Sequence, residues 1–98
     1  MSQVRFSSLE EVVQTMPEWV KLDVAIEIMA EVISDQSRAI ASEEKKEKKD
    51  LGKLKQLKEE KRKLLKERQA MYSGNREVIH KILIEYGKKV RVKYMEAK

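Results

Sequence analysis

Trp19, Leu22, Ile26, Met29, Ile33, Gln36 and Ile40 recur at alternating steps of three and four residues. That interval brings the same side of an α-helix round again, and sustained over about three heptads it reads as a coiled-coil-like seam with one polar position. Val20, Ala25, Ile28, Val32 and Ala39 widen the seam into a broad apolar face, while Glu18, Asp23, Glu27, Glu31 and Asp35 occupy the other side. The spacing predicts a long helix over 16–41. A shorter one over 8–15 precedes it, with Ser8 and Glu11 spaced as a capping box. Pro17 separates the two because the residue before a proline resists helical geometry, and Thr15-Met16-Pro17-Glu18 has the form of a second cap.

Beyond the seam the pattern thins. Leu51, Leu54, Leu57, Leu64, Leu65 and Met71 are spaced for a second helix over 50–72, and SEEKKEKK at 42–49 has no apolar anchor, so a turn or a solvated link is expected over 42–50. A helix of about 24 residues spans about 36 Å, so the two long segments match in length. The fold class expected is mainly α: a long antiparallel helical hairpin, coiled-coil-like, with short flanking helices. Ser73-Gly74-Asn75 marks the next break, with Asn75 as the cap of a last helix over 76–86 that Gly87 would end. KKVRVKY then alternates, which predicts a strand over 88–95, and Val4–Phe6 shows a brief alternation that could pair with it. All 98 residues read as one small domain.

Charge changes the picture at one point. Residues 1–42 carry three basic and seven acidic side chains, residues 43–68 twelve and seven, and residues 69–98 seven and three, so local balances of −4, +5 and +4 lie behind a net charge of +5. The basic run 42–68 then has three readings. It is a phosphate-binding surface, a helix solvated by lysine and glutamate, or the internal partner of the acidic helix. Flanking acids and bases would select the antiparallel register of that internal pair, with exposed pairs contributing about 0–1 kcal/mol each. For nucleic acid the candidates are Lys58, Lys61, Arg62, Lys63, Lys66 and Arg68, joined by Lys89, Arg91 and Lys93. Against it, seven acids interleave the run and no aromatic lies between Trp19 and Tyr72, so base stacking has no platform there.

Catalytic chemistry finds little purchase. There is no cysteine and one histidine, His80, which suits a structural or surface role in the last helix. Glycines stand singly, so no phosphate loop forms, and the acids of the long helix lack the Glu-x-x-His element of a carboxylate-bridged metal site. No cofactor, metal or small-molecule substrate is implied, and an enzyme is the least favoured class. No segment is apolar enough to span a membrane and no signal sequence opens the chain, so a cytoplasmic protein is expected. The long helix carries more apolar surface than a leucine-poor basic helix covers. A homodimer or a protein partner is therefore expected on Trp19, Leu22, Ile26, Met29, Ile33 and Ile40. The leading function is a non-enzymatic interaction or regulatory module. The alternative is a basic nucleic-acid-binding regulator, of the size and charge of antitoxin-like or phage proteins, contacting phosphates through Lys45–Arg68 and the C-terminal basic segment.

Overall fold

Pro17 sets the first corner. In a computed structural model that describes residues 9–96, with side-chain surroundings from Glu10 to Arg91, α1 (Leu9–Thr15) ends two residues before it and α2 (Glu18–Glu44) begins just after. Pro17 itself is the cap, its carbonyl accepting from the Lys21 N–H at 3.0 Å, because a proline has no N–H to leave unsatisfied at a helix start. Thr15, expected to cap α2, turns back instead and donates its hydroxyl to the Val12 carbonyl at 2.8 Å.

The charged link 45–50 joins α2 to α3 (Leu51–Tyr72), whose first turn is capped by Asp50 accepting from the Lys53 N–H at 3.0 Å. Contacts pair Glu43 with Lys53, and Gln36 with Leu57 and Glu60, so residues earlier in α2 meet residues later in α3. At its far end α3 closes with a Schellman turn. Asn75 N–H donates to Ala70 O at 3.1 Å, Gly74 N–H donates to Met71 O at 3.0 Å, and Gly74 takes a φ of 85°. Asn75 then caps α4 (Arg76–Lys81), its side chain accepting from the Val78 N–H at 3.1 Å.

From α4 the chain passes through a π-helical segment, Ile82–Tyr86, directly into α5 (Gly87–Glu96). This overturns the strand expected over 88–95 and the helix end expected at Gly87, which sits at an ordinary helical φ of −59°. Extending an existing helix costs no new nucleus, and it satisfies each backbone group locally. A strand would have needed a partner edge. Val90, read as one face of that strand, lies instead in a groove beside Val24, Ile28 and Val32 of α2. The alternating segment Val4–Phe6 and the Ser8 cap lie outside the described residues.

The described chain is thus mainly helical, and no strand occurs among the described residues. Val13 of α1, Ala25 and Met29 of α2, Leu64 and Met71 of α3, and Ile82, Leu83 and Tyr86 of the π segment form the core. The widened turn presents Ile82, Leu83 and Tyr86 to the core together. That core is thin. The chain exposes 7623 Å², whereas a compact monomer of 11.5 kDa exposes about 5,800 Å². Its radius of gyration is 16.1 Å, against about 12.6 Å for a compact chain of this length.

Candidate interaction surface

The apolar face of α2 divides into a covered part and an open one. Met29 is fully buried, 0% exposed, and Ile40 is buried as well, so both serve the chain's own interior. Leu22, Ile26 and Ile33 are half-buried at the core's edge. Trp19 stands out at 70% exposed. Trp19, Ile26, Ile33 and Ile40 follow one another at intervals of seven. A seven-residue repeat drifts by about 20° per heptad on a straight α-helix, which carries this series from solvent at Trp19 into cover at Ile40.

A second such series runs along α3: Leu51, Lys58, Leu65 and Tyr72. Leu51 is 72% exposed and Tyr72 62% exposed, and with Trp19 they are the exposed large hydrophobic side chains among the described residues. The register of the α2–α3 contacts puts Trp19 level with Tyr72 and Ile26 level with Leu65 along the helices, to within about one turn. Ile40, Lys58 and Leu65 line one open groove, with Glu44, Lys61 and Arg62 at its rim. The flank of α2 that meets α5, at Val24, Ile28 and Val32, is the opposite one. The α3 series escaped the sequence reading because Lys58 breaks its apolar run and only the exposure of its two ends marks it.

The residues expected to bind nucleic acid do not converge on one surface. Lys58, Lys61 and Arg62 rim the groove with Glu44. Lys63 and Lys89 meet across a different one that also holds Gln36, Glu60 and Tyr86, with the Lys89 ammonium 5.4 Å from the centre of the Tyr86 ring. Lys66, Arg68 and Arg91 are exposed on their own helices. Lys93 lies in α5, where its side chain is outside the described surroundings. Acids accompany the bases in both grooves.

One buried and one nearly buried carboxylate, Glu43 and Glu67, organise this charge, and neither was singled out in the sequence. Glu43, 3% exposed, accepts from Lys46 Nζ at 3.1 Å and from the Asp50 N–H at 3.3 Å, with Lys53 Nζ at 3.6 Å. The Lys46 hydrogen bond, the Asp50 N–H and the charges of Lys46 and Lys53 outweigh burial and hold its carboxyl below the usual range. Glu67 accepts from Lys81 Nζ and from the Tyr86 hydroxyl. Burial pushes Glu67 toward protonation, but those two hydrogen bonds and the charges of Lys81 and Lys63 prevail and hold it low. The same contacts raise Lys81, with the Glu67 hydrogen bond leading, and raise the Tyr86 phenol, with burial leading. Both clusters fasten helix to helix, Glu43 of α2 to Lys53 of α3 and Glu67 of α3 to Lys81 and Tyr86 beyond it.

No family model, no curated protein and no solved structure matches this chain. No helix among the described residues is long and apolar enough to cross a membrane.

Proposed function

We propose that this chain is a small helical interaction or regulatory module, and that α2 and α3 act as a coiled-coil-like hairpin whose open face receives a protein. The observation that carries the reading is the exposure of three large apolar side chains, Trp19 near the start of α2 and Leu51 and Tyr72 at the two ends of α3. Large apolar side chains left this exposed on a small helical chain are open to a partner. Phosphate binding through the basic helix is the weaker reading, because Glu44 and Glu60 stand in the same grooves as the lysines.

The test is photo-crosslinking in cells from a reactive residue placed at position 19 or 72, with position 88 as control, since Lys88 is exposed on α5. Discrete adducts from 19 and 72 but not from 88 are expected. Absence of adducts, or the same adducts from all three, would overturn the reading.

A further inference from the structure

The flank of α2 that meets α5 is built as two parallel rows. Val24, Ile28 and Val32 recur every four residues, and Glu27, Glu31 and Asp35 recur every four beside them. An apolar row therefore runs next to an acidic row for about 17 Å of helix. Asp35 also meets Arg38 of its own helix at 3.4 Å. Val90 of α5 borders two open grooves on this flank at once. One is lined by Val24, Glu27, Ile28 and Glu31, the other by Val32, Asp35, Gln36 and Lys89. A single valine thus divides an apolar strip that it does not fill.

α5 matches the strip in chemistry but is weakly seated on it. Lys88, Lys89, Arg91 and Lys93 against Glu96 give it a balance of +3, opposite in sign to the three acids of the row. The buried core ends at Tyr86, and among the described side chains that follow, Lys88, Lys89 and Arg91 are exposed and Val90 is half-buried. The segment is also a poor helix former, since it opens on Gly87 and places β-branched valines at 90 and 92. A π-helical turn directly before it interrupts the regular hydrogen-bond ladder. Docking on α2 therefore supplies what propensity does not, and an element with so few buried apolar contacts opens at low cost.

We propose that the 24–35 flank of α2 is a docking site for a basic helix of a partner protein, and that α5 is its intramolecular placeholder, which the partner displaces. A helix with a continuous apolar row and lysine or arginine beside it fills both grooves that Val90 leaves open. An acidic helix or a nucleic-acid backbone would meet Glu27, Glu31 and Asp35 with like charge. This flank lies opposite the open α2–α3 face, so it is a second surface and does not depend on the first.

The probe is a synthetic peptide of the α5 sequence, Gly87–Glu96, held helical by a staple between positions 92 and 96. Fluorescence anisotropy reads its binding to three full-length chains: wild type, Val90→Asp, and Val90→Asp combined with Glu27→Lys and Glu31→Lys. Val90→Asp sets a like charge against the acidic row and releases the arm, so it is expected to bind the peptide about tenfold more tightly than wild type. The added charge reversals are expected to remove at least about tenfold of that affinity. Circular dichroism of each variant confirms that the remaining helices persist. Equal binding by wild type and Val90→Asp, binding that survives the reversals, or no binding to any chain overturns the site. Hydrogen exchange over 87–96 tests the placeholder: about tenfold faster exchange is expected in Val90→Asp, with α2 and α3 unchanged, and equal exchange overturns it. A wild-type oligomer that Val90→Asp abolishes makes α5 of a second copy the occupant and overturns the protein partner. The α2–α3 face is judged separately, by the crosslinks from positions 19 and 72.

Discussion

The Tyr86 hydroxyl donates to Glu67 Oε1 at 2.5 Å, tying the π-helical segment to the C-terminal half of α3. Tyr86 is buried and Glu67 nearly so, and the Lys81 ammonium completes the cluster. Tyr86→Phe keeps the ring in the core and removes the donor. A partly buried carboxylate that loses one hydrogen bond is expected to cost about 1–3 kcal/mol in urea denaturation, and an unchanged midpoint would show that the bond contributes nothing net.

The pH dependence of stability follows from the same groups. Glu43 and Glu67 are lowered from 4.5, so their contribution is complete above that value and lost as pH falls through their folded values. Lys81 is raised from 10.5, so its contribution is complete below that value and lost as pH rises through its folded value. Tyr86 is raised from 10.0, so ionising it above that pH also costs stability. Thermal melting is expected to be flat between about pH 6 and about pH 9, and to weaken below about 4 and above about 10. Stability that rises on acidification below pH 4 would contradict the assignment of both carboxylates.

Two glycines should respond in opposite senses. Gly74 has a φ of 85° with open space around it, so Gly74→Ala meets no clash but forces a left-handed residue, costing about 1–2 kcal/mol. Gly52 is helical, and an added Cβ would lie 3.4 Å from Asp50 Oδ1, an ordinary contact. Gly52→Ala is expected to stabilise α3 by up to about 1 kcal/mol. Chemical denaturation of the two variants reads both signs at once.

Met29 and Trp19 belong to one apolar face of α2 but should differ in kind. Met29→Ala opens a cavity in the core and is expected to cost about 2–5 kcal/mol of folding stability. Trp19→Lys, at an exposed position, is expected to change melting of the dilute chain little and to reduce self-association measured by dilution. Equal loss of stability from both would mean that Trp19 is covered within its own chain.

Helical periodicity, proline at the first corner and Gly-Asn at the last were enough to read a mainly helical chain, because each acts through its own backbone and its nearest turns. Asn75 caps α4 by that local logic. KKVRVKY was misread for the complementary reason. Alternation is a local signal with no knowledge that a helix already runs into it, or that α2 offers Val24, Ile28 and Val32 to receive Val90. Tertiary packing decided that segment. It also decided which members of the Trp19–Ile40 series are core and which are surface, since a seven-residue repeat rotates on a straight helix and only the position of α3 and the π segment says where cover begins. Glu43 and Glu67 are two acids among many in the sequence. Burial and partners single them out: Lys46 and Asp50 reach Glu43 from the adjoining link, whereas Lys53, Lys81 and Tyr86 reach their carboxylates only when the helices fold together.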